Sequence, residues 1–269
     1  MMLALLALLA ICPASMYAGI AESTAEAVKV GDYLLADGTT TSVWSEAGKV
    51  IGIVFATGGK MDNSNYGNSK KVIGYAVALT STERRAVANA PEVEESGNSP
   101  WEISDYNGHA YTEKLMKGLK EGDGGDLFVA YKEWLEKNMI APTVKNLSGW
   151  YIPSARQMLD FIGMALTFET GQSADGVEIN KVYSDAYTSA IGNKANHSFT
   201  KKSNGVGMAN LLSSYVMSRK GNLGLSGVTL KRDKANNNVE NIVQVKDFLY
   251  KYNGGGAYII RPVITIFEK

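Results

Sequence analysis

The chain holds a single cysteine, Cys12, in 269 residues. It lies at the end of an N-terminal apolar run, so a chain processed beyond it has no thiol. Disulfide staples, thiol catalysis and thiolate metal sites then drop out together. Histidine is almost as scarce: His109 and His197 are the two present, far apart and without an i,i+4 partner. No zinc site of nitrogen ligands is expected from such a pair. An excess of either charge is missing too, because 27 Lys and Arg balance 27 Asp and Glu. The basic stretches Lys201-Lys202 and Lys231-Arg232-Asp233-Lys234 are brief or mixed, and no nucleic-acid partner is expected. The Gly-x-Ser-x-Gly pattern of serine hydrolases is absent. Asp62-Asn63-Ser64-Asn65 and the stretch from Asp233 to Asn241 are rich in oxygen ligands. Neither has the spacing of an EF-hand loop, and both read as turns. No cofactor and no metal are expected.

What is present begins with Met1-Met2-Leu3-Ala4-Leu5-Leu6-Ala7-Leu8-Leu9-Ala10-Ile11. This run is too short for a membrane span of ~20 residues and fits a signal-peptide core of ~7–15. Small residues follow, and cleavage after Ala21, with Gly19 two positions earlier, satisfies the small-x-small rule. The alternatives are a buried N-terminal helix, or a lipid anchor on Cys12, against which Ile11 is not the small residue that lipidation signals carry. The reading is therefore an exported protein of the cell surface, periplasm or exterior, with no stable transmembrane span after processing. Residues 1–21 are the signal peptide, 22–29 a polar lead-in, and 30–269 a single α+β domain.

The pattern along that domain runs strands, helices, strands. Asp37-Gly38 between β-formers predicts a hairpin. Val50 to Phe55 and Val72 to Leu79 predict buried strands, and the mid-strand glycines Gly52 and Gly74 mark a bulge or a close backbone approach. Residues 80–108 read as irregular surface. Tyr111, Leu115 and Leu119 recur at helical spacing; Asp126 is expected to cap a second helix carrying Phe128, Val129, Tyr131, Trp134 and Leu135. Trp150-Tyr151-Ile152 is a short strand stopped by Pro153. Ser154 and Gln157 then form a capping box for the next helix, with Met158, Leu159, Ile162, Ala165 and Leu166 on one face. A further helix is expected across Ile179 to Ile191. Strands are expected at 211–218, 241–245 and, as one piece, 258–267. This order argues for an antiparallel sheet with segregated helices, in which the first and last β groups pair.

Several of these segments resemble a known group. Gly149-Trp150-Tyr151-Ile152-Pro153-Ser154 is similar to the Gly-Trp-x-(Leu/Ile)-Pro-(Ser/Thr) segment of secreted bacterial proteins related to the Lcl C-terminal domain and to the major paralogous domains of Bacteroidetes-type bacteria. Leu212 to Ser218 stands where those proteins have a Tyr-Trp-Ser-Ser-Thr strand, and Ile260-Arg261-Pro262-Val263 resembles their closing Arg-Pro-Val. The openings at Val30 to Thr39 and Ile51 to Phe55 look alike too. The resemblance implies a C-type-lectin-like, formylglycine-generating-enzyme-like fold. It implies no settled activity; because no activated catalytic group is visible in the sequence, the role read for this chain is non-catalytic binding or adhesion, with a carbohydrate or a protein as ligand. A subunit of a fimbria-like appendage and a hydrolase with dispersed carboxylates are the alternatives. This chain has Tyr151 where the family usually has Arg, and no cysteine for formylglycine-type chemistry in its mature part.

The binding candidates are Trp101, Tyr151, Arg156 and Tyr215. Aromatic rings can stack on sugars, and Trp101 beside Pro100 lies in a polar loop region. Trp150 reads as core. Arg156 is poorly placed for the helix dipole and has Asp160 four residues on as an ion-pair partner. Arg261 sits in an apolar strand, either as a buried charge with a carboxylate partner or with its head reaching the surface.

Overall fold

The computed structural model describes residues 27–45, 49–58, 70–87, 106–120, 125–154, 156–158, 160–162, 164, 202–204, 215–218, 221–225, 230–231, 242–243, 249–251 and 257–269. It is mixed helix and antiparallel sheet. The strands are β1 (Tyr33–Leu35), β2 (Thr40–Thr41), β3 (Val50–Thr57), β4 (Val72–Ala78), β5 (Arg85–Ala86), β6 (Leu147–Tyr151), β7 (Tyr215–Ser218), β8 (Gly221–Leu225), β9 (Leu230–Lys231), β10 (Ile242–Val243), β11 (Leu249–Lys251), β12 (Ala257–Tyr258) and β13 (Val263–Phe267). The helices are α1 (Gly108–Gly118) and α2 (Gly125–Lys137), with further helical turns at 156–158, 160–162 and 164. No helix among the described residues is long and apolar enough to cross a membrane.

The main sheet has the order β2-β1-β3-β4-β13-β6, and every pairing in it is antiparallel. The opening and closing strands therefore meet, with β13 inserted between β4 and β6. The registers align a row of side chains across the sheet: Tyr33, Ile53, Val77, Val263 and Tyr151. All five are buried. Because strand side chains alternate between faces, the neighbouring row of Val54, Ala76, Ile264 and Trp150 points the other way. The second face packs Leu34, Val54, Ala76, Leu147, Ile264 and Ile266 beneath Val28, Ile140 and Val144. Tyr75, on the first face, meets Tyr106 and Phe55, and Phe55 meets Phe161. Both faces are covered, which is why the strands read as nearly continuous apolar runs.

The hairpin around Gly38 forms as its sequence predicts, with Gly38 at φ 80°. Asp37 accepts hydrogen bonds from the Thr39 hydroxyl (2.6 Å) and amide (2.9 Å). The hydroxyl bond, foremost, holds the Asp37 carboxyl below its ordinary range. Gly52 is a close approach: a Cβ there would lie 2.7 Å from the carbonyl oxygen of Val77. At Gly74 it would lie 3.0 Å from Val28 Cγ1, and the β3–β4 register shifts nearby, between Val54 and Ala56.

α1 and α2 fall where the apolar periodicity places them, but α2 begins at Gly125, so Asp126 lies in its first turn and is not the cap. Their shared core holds Tyr111 and Leu115 from α1 and Leu127, Phe128 and Tyr131 from α2, packed on Val87, Ile152 and Ile260. Two expectations need correction. Residues 80–108 are not wholly irregular, since β5 pairs with β12. The closing strand is two, β12 and β13, separated by Ile259 to Pro262. Pro262 has no N–H to donate to a ladder, and the Ile260 amide instead donates to Thr82 Oγ1 at 2.8 Å. The helix expected at 179–191, the strand portions 211–214 and 244–245, and Leu159, Ala165 and Leu166 lie outside the described residues.

Candidate functional site

The Pro153-Ser154 turn builds a buried hydrogen-bond relay. The Ser154 amide donates to Gln157 Oε1 (2.8 Å), and the Gln157 amide donates to Ser154 Oγ (3.3 Å), a reciprocal capping box. Gln157 Nε2 then donates to the Tyr151 hydroxyl (2.8 Å), which meets Thr265 Oγ1 (2.9 Å). The Thr265 amide donates to Ser148 Oγ (3.0 Å). The relay thus ties the turn after β6 to β13, joining the Trp-x-Ile-Pro-Ser segment to the strand that follows Arg261-Pro262.

Tyr151 belongs to this relay. Only 1 % of it is exposed, so its ring is enclosed in the sheet and not presented to a ligand. Arg156 pairs with Asp160 at 3.0 Å, one helical turn on, with its side chain 39 % exposed. The Asp160 side chain is only 9 % exposed, so the pair is half-buried and not an ordinary surface pair. Arg156→Ala removes the cation that faces a largely buried carboxylate and is expected to cost about 1–3 kcal/mol in urea unfolding. Tyr215 lies on β7, and Trp101 falls outside the described residues. Among the described residues, then, the sequence candidates do not converge on one concavity. Trp150 is partly buried and meets the Trp134 ring edge-on, centroids 5.6 Å apart. Arg261 is fully buried, so its head does not reach the surface. Burial lowers its guanidinium pKa to about 9, and it stays charged at neutral pH.

Two concavities stand out, neither legible as a sequence motif. The first lies between α2 and the segment leading into β5 and has a volume of about 480 Å³. One helix face supplies Asp126, Val129, Ala130, Glu133, Trp134 and Lys137, at spacings of three and four residues. Ser81, Thr82, Glu83 and Arg85 form the opposite wall. Trp134 is held by a bond from its Nε1 to Thr80 Oγ1 (3.0 Å). Val129 is 56 % exposed and gives the helix wall an apolar step. Glu83 and Arg85 form an ion pair at the rim. The second concavity, about 770 Å³, lies at the end of the main sheet, with an apolar floor that includes Val28, Ile73 and Phe267. The Lys71–Glu268 pair, 2.9 Å, borders it. Among the described residues, no three His, Cys, Asp or Glu side chains gather to hold a metal ion.

Compared with known proteins, the chain matches no family model, no curated protein and no solved structure.

Proposed function

We propose that this chain is an exported, non-catalytic binding protein of the cell surface or periplasm, of C-type-lectin-like build, that captures a carbohydrate in the α2–β5 cleft. The cleft carries the reading. Its volume falls in the range of small-molecule sites, roughly 300–1,000 Å³. Carboxylates, a guanidinium and hydroxyls are distributed around an apolar step, as sugar hydroxyls and ring faces require. The meeting of the opening strands with β13 supports the lectin-like build.

The edges of the main sheet, among the described residues, weigh against the assembly reading. One edge is β2, two residues long. The other is β6, where the Tyr131 hydroxyl donates to the Trp150 carbonyl (3.3 Å) and Thr112 Oγ1 accepts from the Ile152 amide just beyond (3.0 Å). Strand addition needs a longer open edge. A hydrolase needs a shielded acid. Glu83 instead has a side chain 73 % exposed and held by Arg85.

The test is a glycan array probed with the full chain and with Glu133→Lys, with release of reducing ends followed in parallel. Bound glycans are expected, with at least a tenfold loss in the variant and no cleavage. A blank array with both proteins rejects the reading, and glycan cleavage by the parent replaces it with the hydrolase.

A further inference from the structure

His109 stands in the first turn of α1, its ring edge-on to the Tyr151 ring with centroids 5.4 Å apart. That turn contains no acidic residue, and Asn107 at the N-cap makes no side-chain capping bond. The exposed amides at a helix start carry partial positive charge. A proton taken up by His109 would put a second positive charge at this end, against the sheet. Burial is the leading influence and disfavours the charged ring, and Lys70, from the segment before β4, acts in the same direction. Glu113, one turn further along α1, and a hydrogen bond with the Ser148 backbone oppose it and are outweighed. Among the described residues, Tyr151 from β6 also meets the His109 ring.

We propose that this joint is acid-sensitive: protonation of His109 loosens α1 from β6, and with it the α2 wall of the cleft. The core cluster to which both helices contribute, Tyr111 and Leu115 from α1 and Leu127, Phe128 and Tyr131 from α2, transmits the movement. The folded chain favours the neutral imidazole, so as pH falls through the ordinary value of 6.5 the unfolded chain gains its proton first. Stability is therefore full above that value and declines below it. The effect on capture rests on the cleft reading above. The loosening of α1 does not, and it is measured without ligand.

The experiment compares the full chain, His109→Gln and Glu113→Gln at pH 7.5 and 5.5, a window above the main carboxylate titration range. Thermal unfolding and amide exchange are read together, with exchange corrected for its intrinsic pH dependence. The parent is expected to lose roughly 2–4 °C in Tm across the window, with faster exchange concentrated in α1. His109→Gln is expected to flatten both responses. Glu113→Gln is expected to steepen them, because it removes the carboxylate that supports the charged ring. Identical pH responses in all three proteins overturn the proposal. If His109→Gln does not fold, Glu113→Gln decides alone, and an unchanged or shallower response overturns it.

Discussion

Gly108→Ala is expected to destabilise the fold by about 3 kcal/mol, near the top of the usual range for overpacking. A Cβ at this position would lie 2.5 Å from the Ser154 amide nitrogen, 2.5 Å from Gln157 Oε1 and 2.7 Å from the Ile152 carbonyl oxygen. Two of these are backbone atoms fixed by the relay, so relief requires α1 to move as a body. The helix is already fastened there, since Thr112 Oγ1 donates to the Gly108 carbonyl (2.7 Å) and accepts from the Ile152 amide (3.0 Å). Gly118, at the other end of the same helix, has nothing within 4 Å of its would-be Cβ. Gly118→Ala is the matched control and should be neutral or slightly stabilising. Urea unfolding of the two variants beside the parent checks the contrast. Equal midpoints for both would show that the helix start does not abut the turn after β6.

Removing the amide of Gln157 should have a comparable effect. Gln157→Leu keeps the approximate volume but deletes the acceptor for the Ser154 amide and the donor to the Tyr151 hydroxyl, inside a site with no access to water. The Ser154 amide loses its buried acceptor, at about 1–3 kcal/mol, and the Tyr151 hydroxyl loses one hydrogen bond while keeping that with Thr265, so a total loss of about 3 kcal/mol is expected. Tyr151→Phe removes one hydroxyl and should lose about 1–2 kcal/mol. A double-mutant cycle between the two positions should give a coupling energy of at least about 0.5 kcal/mol, the sign of a shared network. Fully additive losses would mean that the two side chains act separately. Tyr151→Phe also separates structure from binding. Its folded fraction should capture glycan as well as the parent does if Tyr151 acts through the relay alone.

The sequence was informative where local rules operate. Asp37-Gly38 specifies a turn through the left-handed backbone at Gly38, and the spacing of Tyr111 and Leu115 or of Phe128 and Tyr131 specifies a helix face. The Ser154–Gln157 box depends on a separation of three residues and forms as such. It was less informative where the outcome depends on distant partners. β5 and β12 are two residues each and carry no apolar alternation; they are strands only because Arg85 and Ala86 meet Tyr258 and Ala257. Trp150 and Tyr151 necessarily face opposite sides of the sheet. Which one a ligand could reach depends on what covers each side, and no local pattern encodes that. Here helical turns enclose Tyr151, while Trp150 meets Trp134 of α2. The cleft joins residues 81–85 to residues 126–137. Its lining is an ordinary helix surface until the facing segment is in place.

The position of β13 bears on how the chain matures. β4 and β6 each pair with β13 and not with each other. A nascent chain that has completed everything up to Tyr151 still has the four-stranded fragment β2-β1-β3-β4 with an open edge at β4, and β6 as a strand without its sheet partner. Long-range closure of this kind is slow and leaves sticky surface waiting. Under the export we propose, that delay would be an advantage, because threading through a translocation pore requires a polypeptide that has not yet locked.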